Sequence, residues 1–179
     1  EVDAIVHVVR CFEDENVIHV EGSVDPARDI ETIQTELLLC DIETVARREE
    51  RARKLVKNGE SKLQEELKTA EALIAHMNGG LPARTCPLTE DQREIAKSWF
   101  LLTAKPVLYA ANIAEDDLGK PESDLVAAVR RVAQAEGAQV LVISCKVEEE
   151  IAQLPLEEKQ MFLEEMGIGK SGLDRLVVL

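Results

Sequence analysis

Three stretches of this 179-residue chain carry residue types suited to binding or chemistry. Asn112-Ile113-Ala114-Glu115 follows directly on the apolar run Pro106 to Ala111. The C-terminal end of a buried strand is where α/β proteins place ligand contacts. There an Asn amide and a carboxylate three residues on could read the edge of a nucleobase. The plainer alternative is a strand that ends in Asn, with Glu115-Asp116-Asp117 solvated. Ser144-Cys145-Lys146 closes the next apolar run, one helix further along, and could buttress the same ligand. Gly167-Ile168-Gly169-Lys170-Ser171 matches only the tail of the phosphate loop G-x-x-x-x-G-K-[ST]. Glu164 stands where the first Gly is required, and a helix rather than a strand comes before it, so a glycine helix cap explains these residues better.

Charge is distributed unevenly. The chain carries 21 basic and 35 acidic side chains, a net charge of −14, which argues against whole-surface binding of nucleic acid. Between residues 47 and 57 the balance reverses, with Arg47, Arg48, Arg51, Arg53, Lys54 and Lys57 set against Glu49 and Glu50. This is either a solvated helix end or a local contact for RNA. Cys11, Cys40, Cys86 and Cys145 form no C-x-x-C pair and have no His at zinc-finger spacing, so reduced thiols in a cytoplasmic protein are expected, and no metal site. A thiol redox role has no motif behind it that would lower a thiol pKa.

With 45% hydrophobic and 31% charged residues the composition is globular, and with only 3% aromatics the core must be mostly aliphatic. No apolar run nears the roughly 18 residues that span a bilayer, so no membrane association is expected. The chain opens on Glu1-Val2-Asp3 and closes on Leu176-Val177-Val178-Leu179, and both ends read as cut from something longer.

The elements that would position these residues follow from periodicity. Ala4 to Val9, Pro106 to Asn112 and Val140 to Ser144 are apolar, β-branched runs of the kind buried on both faces of a parallel sheet. Glu122 to Glu136, with Leu125, Val129 and Val132 on one face and Gly137 as its stop, makes the last two runs a βαβ crossover, so the fold class is α/β. From Asp25-Pro26, a cap followed by Pro at the first helical position, apolar residues recur at helical spacing. One stripe runs Ile30, Ile33, Leu37, Cys40 and its neighbour Leu38, Ile42, Val45. Asn58-Gly59 signals a turn, and Leu63, Leu67, Ala70, Ile74 and Met77 then alternate steps of four and three, a coiled-coil seam. An antiparallel helical hairpin is predicted, its first helix roughly 45 Å long. Thr89 with Gln92 predicts a capping box for a short helix, Leu154 to Met166 a further helix, and Ser171 the start of another.

Arg10-Cys11-Phe12-Glu13-Asp14, followed by Val17-Ile18-His19-Val20-Glu21-Gly22-Ser23-Val24-Asp25-Pro26-Ala27-Arg28-Asp29-Ile30, closely resembles the signature of the YchF/Obg-like ATPase family. Leu102-Thr103-Ala104-Lys105-Pro106 and Asn112 to Glu115 match it too. The resemblance implies a partial P-loop nucleotidase (Ras-like) sheet with the hairpin inserted as an arm. Residues 1–25 and 98–166 would form the remainder of the nucleotide-binding domain, 26–97 the arm, and 167–179 the start of a segment leading to a TGS domain. Family members carry a Walker loop upstream of the position of Glu1.

Further implications attach to single residues. In GTPases of this superfamily the tetrad is Asn-Lys-x-Asp; here Ile113 and Glu115 replace Lys and Asp. That suits ATP at least as well as GTP, with Mg2+ and phosphate ligands lying elsewhere. Asn112, Ile113, Glu115, Ser144, Cys145 and Lys146 are the candidate base-site residues, and Phe12 either walls that pocket or belongs to the core. His19 is the candidate catalytic residue, an imidazole able to orient an attacking water; a His bonded to backbone is its structural counterpart. His7, inside a strand, is read as structural. The resemblance also implies a ribosome or RNA partner for the basic patch, and a monomer is expected. The leading reading is a nucleotide-hydrolysing, ribosome-associated factor. The alternative is a non-catalytic module that presents its hairpin to a protein or RNA.

Overall fold

The computed structural model of the protein describes residues 2–14, 22–58 and 63–178. Three strands, β1 (Ile5–Arg10), β2 (Val107–Asn112) and β3 (Gln139–Ile143), form one sheet in the order β1-β2-β3. Strands β2 and β3 are parallel, in register from Leu108 opposite Gln139 to Asn112 opposite Ile143. Beside β1, the Ile5 N–H donates to the Pro106 carbonyl at 3.0 Å and the Cys11 N–H to the Asn112 carbonyl at 2.7 Å. The sequence offset is the same at both ends, so β1 also runs parallel. The protein is α/β, as expected.

The crossover from β2 to β3 is α4 (Asp124–Glu136). The Ser123 hydroxyl accepts the Val126 N–H at its start, and Gly137 ends it with φ of 67°, a left-handed conformation that a side chain would strain. Val126, Val129 and Ala133 pack on Val9, Cys11, Tyr109, Ala111 and Ile113, and Ile30 completes this core. The expectation that β1 is buried on both faces is not met: Val6 is 44% and Val8 55% exposed, while Val9 is buried. As an end strand of the sheet, β1 has α4 over one face only, and its residues alternate accordingly.

The chain divides into two compact units, one of Glu1–Ile5 with Glu31–Pro106, the other of Val6–Ile30 with Val107–Leu179. The first is helical: most of α1 (Pro26–Lys57), then α2 (Gln64–Asn78) and α3 (Glu90–Lys97). At 32 residues, α1 is roughly 48 Å long at 1.5 Å per residue. It runs antiparallel to α2: Val45 packs with Leu73 and Met77, while Arg53, nearer the end of α1, pairs with Glu71. The buried stripe of α1 is the one through Ile42 and Val45; Ile33 and Cys40, on the neighbouring stripe, are exposed. In α2 the buried residues are Thr69, Ala70, Leu73 and Met77, so Ala70 and Met77 of the predicted seam are buried while Leu63, Leu67 and Ile74 are only partly so. The cause is a third neighbour: Trp99, Leu101, Cys86 and Leu88, around α3, share that core, which widens the apolar face beyond a two-helix seam. The capping box of α3 forms as predicted, Thr89 and Gln92 each accepting the other's backbone N–H.

One buried carboxylate ties the helical unit together. Asp41, 3% exposed in the middle of α1, accepts the Leu102 N–H at 2.8 Å, the Thr103 N–H at 2.7 Å and the Thr103 hydroxyl at 2.6 Å. The Thr103 oxygen in turn accepts the Ala83 N–H at 3.0 Å. Replacing Asp41 by Ala strands two backbone N–H groups and a hydroxyl in a dry core. D41A is expected to lose about 2–4 kcal/mol of stability. Urea titration followed by the fluorescence of Trp99, the single tryptophan, tests it, and a loss under about 0.5 kcal/mol would show that water replaces the carboxylate.

Candidate functional site

The C-terminal ends of β2 and β3 are locked to each other. The Ile113 N–H donates to the Ile143 carbonyl at 2.8 Å, carrying the ladder one residue past β2. The Asn112 Oδ1 accepts the Cys145 N–H at 2.9 Å. Because that donor needs an acceptor, the amide orientation is fixed, and the Asn112 NH2 group faces away from the bond. A turn of 3-10 helix, Glu115–Asp117, then presents the Glu115 carboxylate, which pairs with the Lys146 ammonium at 2.6 Å. Through that hydrogen bond first, and its charge second, Glu115 holds Lys146 above the usual lysine range.

Ser144 to Lys146, read as the close of a strand, is instead the entry to a helix: α5 (Cys145–Gln153) starts immediately after Ser144. It fills most of the interval before α6 (Leu156–Glu165), where the sequence suggested a single helix from Leu154. The final short helix, α7 (Gly172–Leu176), is capped by Ser171, whose hydroxyl accepts the Asp174 N–H. Gly167, with φ of 68°, is the turn that ends α6. These two caps account for Gly167 to Ser171 without a phosphate loop.

Between the strand ends lies a pocket of about 350 Å3, lined by Phe12, Asn112, Ile113, Glu115, Ser144 and Lys146. Six of the seven candidate base-site residues therefore meet in one place, and the seventh, Cys145, contributes its backbone N–H. Phe12 is half-buried on the wall, one ring face covered by the Arg10 guanidinium at 4.8 Å. The Ile113 side chain is only 8% exposed and packs in the core, so a contact from it to a ligand must come from its backbone. Ser144 is 2% exposed, and its hydroxyl has no hydrogen-bond partner among the described residues. A buried hydroxyl without a partner costs stability unless something else satisfies it. Glu13, Asp14 and Asp116 add carboxylates to the lining, an arrangement hostile to phosphate and tolerant of a neutral ring with donor groups.

His19 lies outside the described residues. His7 is partly buried, its ring tilted against Tyr109 at 5.6 Å, and burial lowers its pKa while Glu136 opposes this. Among the described residues no group of three or more His, Cys, Asp or Glu side chains is placed to hold a metal.

The basic patch is less basic than its sequence. Arg47 faces Glu43, Arg53 is shared by Glu49 and Glu71, and Lys54 pairs with Glu50. The Arg48 guanidinium lies over the Trp99 ring at 5.3 Å. Among the described residues Arg51 and Lys57 make no ion pair. Arg48 and Arg51 line a pocket of about 410 Å3 with Trp99 and Ser98.

A parallel sheet with a ligand-sized pocket at its carboxyl end and a helical hairpin between its first two strands defines an α/β protein of nucleotidase type in fold. No protein-family model matches the chain. It is 48% identical over 178 residues to the ribosome-binding ATPase YchF of Bacillus subtilis, covering 99% of this chain and 49% of that protein. The YchF of Haemophilus ducreyi is 40% identical over 178 residues, with 99% and 48% covered. Obg-like ATPase 1 of Oryza sativa subsp. indica is 36% identical over 166 residues, with 92% and 42% covered. The solved structure of the Schizosaccharomyces pombe YchF GTPase superposes with a TM-score of 0.81 at 33% identity, over 99% of this chain and 49% of that one. The chain belongs to the YchF/Obg-like ATPase family, and it spans about half the length of the curated relatives it matches.

The thiols provide a direct check on this geometry. Burial pushes Cys11 up to about 11, and burial, then Glu148, raises Cys145, whereas Cys40 is exposed on α1. A raised folded-state pKa means thiolate is scarce below it, so nucleophilic labelling is suppressed. At pH 8, iodoacetamide is expected to label Cys40 first, Cys145 more slowly and Cys11 only on unfolding, as read by peptide mass spectrometry. Labelling of Cys11 at the rate of Cys40 would contradict the packing of β1.

Proposed function

We propose that this chain supplies the base-recognition half of an ATP-binding and hydrolysing, ribosome-associated protein, with phosphate and Mg2+ ligands contributed from outside these 179 residues. The observation that carries the reading is the buried Ser144 hydroxyl on the wall of the strand-end pocket, without a partner among the described residues. The printed names of the relatives, ribosome-binding ATPases and a GTPase, support the class. On this reading residues 1–25 and 98–166 belong to the nucleotide domain, 26–97 to the arm, and 167–179 to a segment leading onward.

The pocket favours adenine for a physical reason. The Asn112 NH2 group can donate to a ring nitrogen, and the Ile113 carbonyl can accept the exocyclic amine. Guanine's two edge donors need the carboxylate three residues after Asn112, and that one, Glu115, is already held by Lys146. Leaving such donors unpaired costs about 1–3 kcal/mol. In the full-length protein, Glu115→Asp shortens the side chain, releases it from Lys146 and should move the ratio of ATP to GTP dissociation constants toward GTP by roughly five- to tenfold. An unchanged ratio in competition against one fluorescent analogue, with the fold intact by circular dichroism, would place base selection elsewhere. For hydrolysis we assign the water-orienting role to His19, on the family resemblance alone. The 179-residue chain by itself, which contains no G-x-x-x-x-G-K-[ST] loop, is expected to show no low-micromolar ATP binding by calorimetry.

The ribosome contact is proposed for Arg48, Arg51 and Lys57, the cations of the patch that make no ion pair among the described residues. Their neighbours Arg47, Arg53 and Lys54 contribute less, because each already has a Glu partner. Charge reversal at Arg51 and Lys57 is expected to weaken co-sedimentation with ribosomes and to flatten its salt dependence, each lost phosphate contact lowering the slope by about 1. Reversal at Arg47 and Lys54 giving the larger effect would overturn this ranking.

A further inference from the structure

The segment beyond α6 is fastened to the back of the strand-end pocket by a contact that the base-site reading does not use. Glu148, on the first turns of α5, accepts the Gly172 N–H with Oε1 at 2.5 Å and the Leu173 N–H with Oε2 at 3.2 Å. Both donors are first-turn amides of α7 that its own helix cannot satisfy. A carboxylate there is also favoured by the helix dipole. The fit is close: a Cβ on Gly172 would stand 2.5 Å from the Ile143 Cγ2 and 2.8 Å from the Glu148 Oε1. Gly172 and Ser171, the residue that caps α7, are both buried. Only glycine allows α7 to lie this close to β3.

What α7 touches is what holds the pocket together. Ile143, against which Gly172 packs, gives its carbonyl to the Ile113 N–H. One residue further, Ser144 leads into Cys145, whose N–H is held by Asn112, and the Ser144 carbonyl accepts the Glu148 N–H itself. Glu148 thus grips α7 with its side chain and the pocket strand end with its backbone.

We infer that Glu148 is a positioning residue, a latch that couples the docking of α7 against β3 to the geometry of the Asn112–Ile113 and Ser144–Lys146 strand ends. Linkage is reciprocal: whatever stabilises the strand ends tightens α7, and whatever draws α7 away loosens them. The inference rests on the base-site reading only for its consequence in nucleotide binding. The coupling itself is a property of the fold.

Site-resolved amide exchange in the full-length protein tests it without any ligand. In Glu148→Ala and Gly172→Ala, exchange at Ile113 and Cys145 is expected to accelerate roughly tenfold relative to Leu141 in mid-strand. Glu148→Gln, which keeps the side-chain volume and one acceptor, should lie between these variants and the unsubstituted protein. Acceleration confined to Gly172 and Leu173 would overturn the latch, because α7 would then open on its own. Equal acceleration throughout β2 and β3 would overturn it too, since α7 would then serve global stability alone. A second measurement separates the consequence: ATP should slow exchange at Gly172 and Leu173 in the unsubstituted protein. Tight ATP binding that leaves these amides unchanged counts against the coupling. Absence of ATP binding, with the exchange pattern as expected, counts against the base-site reading and leaves the latch standing.

Discussion

The helical unit depends on one buried charge, the Asp41 carboxylate. A carboxylate out of water is tolerated only when donors surround it. Here Leu102 and Thr103 supply two backbone N–H groups and a hydroxyl, and the Thr103 oxygen passes the connection on to Ala83. A mid-helix position on α1 is thereby fixed to the segment that follows α3 and to the turn at Ala83–Thr85. Dispersion and burial among Val45, Leu73, Met77, Trp99 and Leu101 give the unit most of its stability but little directional information. The hydrogen bonds of Asp41 set the register in which those side chains meet.

In the sheet unit the corresponding part is played by groups at the strand ends. Asn112 bridges from β2 to the start of α5, Ile113 extends the ladder by one bond, and Glu115 with Lys146 closes the outer side. These bonds flank a pocket whose lining mixes polar and apolar groups, and the buried Ser144 hydroxyl on it has no partner among the described residues. The charge on the arm is organised by the same local accounting. Glutamates one helical turn from Arg47, Arg53 and Lys54 pair with them, so the sequence count of cations overstates the field available to a polyanion.

Much of this was legible in the residues because it is local. Apolar runs, helical spacing, the Thr89 cap and the Gly137 stop are written within a few positions of each other, and α4 and α3 form where they fall. The parallel order of the strands followed from a single crossover helix between apolar runs. That Asn112 to Glu115 and Ser144 to Lys146 lie close together was legible as well, since two strand ends joined by one helix must lie side by side in a parallel sheet. Misreadings arose where burial depends on a neighbour that pattern does not reveal. Val6 and Val8 look like interior valines, yet a strand with a helix over one face buries only alternate residues. Ile33 and Cys40 keep helical spacing, but the partner of α1 covers the adjacent stripe. The start of α5 at Cys145 was hidden because Ser144 to Lys146 read as the close of a strand.

The sequence by itself therefore determined the α/β class, the hairpin, the family and the cluster of residues at the ends of β2 and β3. Each rests on periodicity, capping or motif spacing, which act over short stretches of chain. Only the tertiary structure decided that Asp41 is buried and fully bonded, that the Ile113 side chain belongs to the core, that Glu115 is held by Lys146, and that Glu148 grips Gly172. In each case a polar or apolar side chain meets a group distant in sequence. The sign of its contribution is fixed by whether water is excluded and a partner is present, and no local pattern encodes either condition.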